Sequence, residues 1–187
     1  MTHIEWIESS KTWTCPKSGK YKVICVGGGA SGGGKFSSSG TYLPTIAGGT
    51  TSFGTILSAA GGASDNSNAA LSNTSKVSGY GGFTGISYGG IPSFIYSGDT
   101  PMFTLGTGNA GIAGAGVSNG YGAGGGASSA VNIVIPGRAG SIKTTIVDIE
   151  AGEAITCTIG AGGVGGSGTS QTATGAKGVI VVQFLGA

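Results

Sequence analysis

Apolar and polar positions alternate over short runs at both ends of this chain, and the alternation disappears between them. Residues 3–8 set Ile4 and Trp6 against Glu5, and strand-like runs follow at 12–14 and 21–26, separated by Pro16-Lys17-Ser18-Gly19. That tetrapeptide has turn chemistry: proline presets φ and glycine accepts a conformation other residues avoid. Toward the other end, 131–135, 142–149, 155–159 and 179–184 are β-branched runs bounded by turn residues. Ala151-Gly152-Glu153 between two of them predicts a hairpin, and the two ends together predict one antiparallel sheet system.

The middle has neither period. Glycine clusters occupy 27–34, 48–54, 60–62, 79–90 and 106–126, with another at 160–168, and segments richer in Ser, Thr and aromatic residues separate them. A helix gives up about 1 kcal/mol per glycine relative to alanine, and no amphipathic helical stretch is present. The expected fold is all-β and almost free of helix, a single domain over 1–187. Terminal strands (1–26 and 131–187) form an antiparallel sandwich-like frame, and 27–130 forms a glycine-rich body.

Composition sharpens this picture. Glycine accounts for 42 of 187 residues, about three times its usual share. Disordered segments stay in water through low hydrophobicity and high charge. Here only 9% of residues are charged, and none lies between Lys35 and Asp65 or between Asp99 and Arg138. The net charge of +2 is scattered apart from Lys11, Lys17, Lys20 and Lys22, so the basic footprint of a nucleic-acid binder is missing. Cys15, Cys25 and Cys157 are an odd number without C-x-x-C spacing, each in or beside an apolar run, and are expected as buried thiols. The N-terminal MTHIEWIESSKTW has acidic residues where a signal peptide needs a basic start and an apolar stretch. The apolar run around 179–182 is too short to cross a bilayer as a helix. Assembly in the cytoplasm without membrane insertion is the expectation.

Two motifs invite a nucleotide-binding reading. Val23, Ile24 and Val26 run into Gly27-x-Gly29-x-x-Gly32, and Gly29 to Lys35 nearly completes a P-loop. A dinucleotide site needs the glycines to open a helix, with an acidic residue about 20 positions on. Gly40 and Pro44 preclude that helix, and no Asp or Glu occurs before Asp65. Phe36 follows Lys35, where a P-loop needs the hydroxyl that holds Mg²⁺. VICVGGGASGGG at 23–34 also has a counterpart in TCTIGAGGVGGSG at 156–168, and a repeated strand-into-glycine unit points to architecture. A Ser-His-acid set has only His3 to draw on. Asp148 and Glu150 fall on one strand face, opposite Val147 and Ile149, as a hydrated outer face does. The chain is expected to be no enzyme and to carry no cofactor or metal.

Ordered glycine is itself informative. Each ordered glycine loses more backbone entropy than any other residue, and close backbone approach is the available compensation. Extended threefold helices of the polyproline-II kind, without the prolines, pack side by side when the contacting positions lack Cβ. Amide-to-carbonyl bonds between neighbours, aided by Cα–H···O contacts, then satisfy the backbone without a sheet.

The order of these pieces resembles the glycine-rich domains of bacteriophage tail-fibre and adhesin (receptor-binding) proteins. The resemblance rests on Trp13-Thr14-x-Pro16, Gly19-x-Tyr21-x-Val23, the run 27–34, Gly49-Thr50-Thr51-Ser52-Phe53-Gly54, Ser58-Ala59-Ala60-Gly61-Gly62, Ala151-Gly152-Glu153, 155–163 and 175–184. It implies a virion structural protein of the tail fibre or tail tip that contributes to host recognition. The alternative is a capsid decoration or a tail or baseplate accessory of purely structural role. Other virion proteins and a host cell-surface glycan or protein are the implied partners. A homo-oligomer, a trimer where the chain is fibre-borne, belongs to the same expectation. The segment SYGGIPSFIYSGDTPMF gathers Tyr88, Phe94, Tyr96 and Phe103 around a single charge, Asp99. These five are the candidate contact residues, because aromatic rings supply contact area at low entropic cost.

Overall fold

Tyr21, Val23 and Cys25 alternate with Ile24 and Val26 along strand β3 (Gly19–Val26), and all five are buried. A strand apolar on both faces has to lie inside the molecule. The computed structural model describes residues 3–35, 42–64, 93–94, 103–104, 121–122, 124–125, 133–135, 137–165 and 174–187. Among these, no residue is helical.

β3 is an inner strand of a four-stranded antiparallel sheet that also holds β1 (Ile4–Ile7), β11 (Ile142–Ile149) and β13 (Val179–Gly186), in the order β1-β13-β3-β11. A second four-stranded sheet has the order β2-β12-β6-β7, from β2 (Lys11–Thr14), β6 (Thr51–Phe53), β7 (Leu57–Ala59) and β12 (Ala154–Thr158). Their facing sides enclose one core. Ile7, Trp13, Tyr21, Phe53, Ile155 and Ile180 are among its members, each worth about 1.5–3 kcal/mol when fully removed from water. Trp13 meets Tyr21 edge-to-face at 5.6 Å and Phe53 at a tilt at 5.5 Å, and Tyr21 meets Phe184 edge-to-face at 5.2 Å. The other face of the first sheet buries Ile24, Val26, Val179 and Val181, with Trp6 and Tyr121 packed beside them.

The terminal runs therefore form the expected all-β frame as two facing antiparallel sheets. The expected hairpin at 151–153 is absent: β11 and β12 belong to different sheets, and the turn between them is a corner. Gly152 takes φ 84° there, in the left-handed region. The corner lies beside the Pro16–Gly19 turn, which carries the chain from β2 to β3. Gly152 N–H donates to the Cys15 carbonyl and Cys15 N–H to the Glu153 carbonyl. Two other boundaries move. The β6–β7 hairpin, expected in the glycine-rich body, belongs to the frame because Phe53 is 0% exposed and fills the core. Residues 133–135, expected in the frame, form β10 (Ile133–Ile135) in a separate sheet of order β10-β4-β5, with β4 (Gly33–Lys35) and β5 (Tyr42–Leu43). A further pair is β8 (Ser93–Phe94) with β9 (Phe103–Thr104).

Candidate recognition surface

At Gly27 the chain leaves β3 and the hydrogen bonding changes character. The N–H groups of Gly27 and Ala30 donate to Ser141 and Arg138, those of Gly28 and Ser31 to Gly49 and Ile46, and that of Gly29 to Ala176. Donors thus rotate through three neighbours with a period of three residues. The carbonyls of Gly28, Gly29 and Ala30 accept from Gly62, Gly163 and Gly125, on three further neighbours. Residues 27–31 are consequently surrounded by six segments, and every one of these bonds measures 2.7–3.0 Å.

The six also bond to one another and close a ring. Around it run 46–49, 60–62, 137–141, the segment holding Gly122 and Gly125, 175–178 and 160–163, which returns to 46–49 through Gly49 N–H and the Ala161 carbonyl. Chain continuity gives five of them a direction, and the bonds of Gly122 to Lys177 and Gly140 and of Gly125 to Ala30 and Gly137 run the sixth outward. β3, β7 and β12 continue outward into 27–31, 60–62 and 160–163, whereas 46–49, 137–141 and 175–178 run inward to β6, β11 and β13. Outward and inward segments alternate around the ring, so both sheets extend into one array.

Glycine is required where segments touch. A Cβ on Gly48, Gly137, Gly140 or Gly175 would come within 3.0 Å of a carbonyl of the central segment, and one on Gly28 would reach the Ala161 carbonyl. At these positions a side chain has no room between segments. Buried hydroxyls lock the two ends. Thr51 Oγ accepts from Gly160 N–H (3.0 Å) where the array meets the frame, and Ser31 Oγ accepts from Ile46 N–H (2.8 Å) at the far end. Within the glycine motif, the amides of 27–31 are all committed to neighbouring carbonyls.

At the end of the array remote from the frame the chain continues into the β10-β4-β5 sheet. The connections 31→46, 125→137 and 163→175 all depart there, as does the chain after Gly62, which precedes the candidate contact segment in sequence. Of that segment, Phe94 and Phe103 occupy directly opposed register positions in the β8–β9 pair. Tyr88, Tyr96 and Asp99 lie outside the described residues. That end also exposes residues that sequence reasoning missed: Pro44, Ile46 (49% exposed) and Val164 (69% exposed). Ile46 and Val164 sit on adjacent ring segments, with Gly163 against the Ile46 carbonyl. A signal existed, since Ile46 and Val164 are large apolar residues beside glycine runs whose packed positions admit no Cβ.

Charge gathers instead in the frame. Lys20 pairs with Asp148 (3.1 Å), and the Ser18 hydroxyl donates to Glu150 (2.9 Å), which gives the acidic pair ordinary surface partners. Glu5 accepts from Lys11 Nζ (2.7 Å) and from the Trp13 indole N–H (2.8 Å). Burial pushes its carboxyl up, but those bonds and the Lys11 charge outweigh burial and hold it below its ordinary 4.5. The three cysteines are buried and free. Burial pushes Cys25 up to about 12, with Cys157 adding to the shift, and pushes Cys157 to about 11. Among the described residues no cluster of three His, Cys, Asp or Glu could hold a metal, and no helix is long and apolar enough to cross a membrane. No protein-family model, curated protein or solved structure matches the chain.

Proposed function

We propose that this chain is a bacteriophage virion protein of the tail fibre or tail tip, and that it helps recognise the host surface. In this reading the glycine segments are threefold extended helices of the polyglycine-II type, bundled into a stiff presenter. One observation supports it above the others: a central segment ringed by six, whose connections leave at the end away from the frame. Such an array spends its glycines on rigidity, and rigid elements hold contact loops in one geometry at low ordering cost. The uncharged sequence of 100–137 and the exposed Ile46 and Val164 suit flat sugar faces or outer-surface proteins better than a charged polymer.

The test is binding of the fluorescently labelled chain to a panel of bacterial strains. A strain that binds the wild-type chain should bind a Phe94→Ala/Tyr96→Ala variant about 10- to 100-fold less, as truncation of two aromatic anchors does, while the unfolding temperature stays the same. Equal binding by that variant refutes the contact assignment. Failure to bind any strain, together with many copies on purified particles, assigns the chain the structural role of a decoration or accessory protein.

A further inference from the structure

β11 is the longest strand at an edge of either four-stranded sheet. Its eight residues pair with β3 in unbroken register, and no strand pairs with its other side among the described residues. The other edges, β1, β2 and β7, are three or four residues long. Proteins protect long edges with charge, proline, bulges or brevity; β11, reading IKTTIVDI, has the charges Lys143 and Asp148 but no proline, no bulge and full length. Ile146 at its middle is 60% exposed, and Thr144 and Asp148 on the same face are exposed too.

Bond parity shows which backbone groups are open. Gly27 N–H donates to the Ser141 carbonyl, one step beyond the Val26–Ile142 pair. In an antiparallel ladder bonded pairs alternate with non-bonded ones. Residues 143, 145, 147 and 149 therefore bond to β3, and Thr144, Ile146 and Asp148 turn N–H and C=O toward the open edge. We infer that β11 pairs with β11 of a second copy, antiparallel about a two-fold axis at Ile146, to make one continuous eight-stranded sheet.

The strand is self-complementary in this register. Opposed residues share a face, so Ile146 meets Ile146 and Thr144 meets Asp148 twice, a hydroxyl donor against a carboxylate. The three even pairs exchange six backbone hydrogen bonds. Moving the register by two residues would set Ile142 against Asp148, an apolar group against a charge. A two-fold edge pairing makes a dimer, in place of the trimer expected of a fibre, and it stands whether or not the chain contacts a cell.

Sedimentation equilibrium on the full chain tests this. The wild-type chain should approach twice 17.9 kDa with rising concentration. Ile146→Lys, which sets like charges on the axis, should sediment at the single-chain mass with an unchanged circular-dichroism spectrum. Thr144→Pro should do the same, because the N–H it removes faces the open edge and not β3. Opposed residues in a bonded pair have Cα atoms about 5.5 Å apart, within disulfide range. Ile146→Cys should therefore cross-link two chains under oxidation, and Lys143→Cys should not. A wild-type chain that stays at 17.9 kDa up to its solubility limit, a trimer, or dimers that survive both edge substitutions would overturn the inference.

Discussion

Substituting Gly28 with alanine tests the array directly. A Cβ there would lie within 3.0 Å of the Ala161 carbonyl, so backbone rather than a flexible side-chain tip must yield. Residues 27–31 are ringed on all sides, and no direction of relief is open. Overpacking of this kind costs about 1–3 kcal/mol. The shift also loosens the bonds from Gly28 N–H to Gly49 and from Gly62 N–H to Gly28 (2.9 and 2.8 Å), each worth about 1 kcal/mol. Alanine restricts the unfolded chain and returns about 0.4–1 kcal/mol. The balance is a loss of roughly 2–4 kcal/mol, or a fall of about 4–16 °C in Tm for a chain of this size. Gly152→Ala is the control, because Gly152 has φ 84° and nothing within 4 Å of a built Cβ. It should lose only the left-handed conformational term, about 1–2 kcal/mol. Thermal unfolding of both variants by circular dichroism is the assay. A Gly28→Ala protein as stable as wild type, or more stable than Gly152→Ala, would show that the tracts are not packed backbone to backbone.

Two further outcomes follow from the frame. Cys25 and Cys157, with thiols pushed to about 12 and 11 by burial, should not react with a thiol reagent at pH 8 in the native protein, and all three cysteines should react after unfolding in urea; rapid native labelling of either would contradict their burial. Glu5 is held below its ordinary 4.5, so the stability it confers is fully present above that pH and is lost as pH falls through the folded-state value beneath it. Glu5→Gln should therefore be less stable than wild type at pH 7, by on the order of 1 kcal/mol, and the two urea midpoints should converge at pH 3; a constant gap across that range would mean that the carboxylate charge contributes nothing.

The frame strands were legible because a half-buried or fully buried strand writes its environment into its own residues. Val23 to Val26 and Val179 to Val182 are apolar on both sides and prove to be inner strands of one sheet. Partner choice was not legible. The turns at 16–19 and 151–153 have the chemistry of hairpins, yet both carry the chain between sheets, because turn residues fix local backbone shape and leave open which strand lies across the gap. Phe53 went unread for a related reason: a three-residue strand among glycines has no period, and only the position of Trp13 across the core shows why a ring belongs there. The glycine tracts lie between these cases. Their composition announces close backbone approach, and the period of three in the donors of 27–31 follows from it. Which segment lies against which is absent from the local sequence, since glycine has no side chain with which to specify a neighbour. The specification has to come from elsewhere, and the structure supplies it at the base. Six of the seven segments are direct continuations of frame strands whose side chains do choose partners, so the core around Trp13, Tyr21 and Phe53 sets the order of an array whose glycine-to-glycine contacts are not selective by themselves.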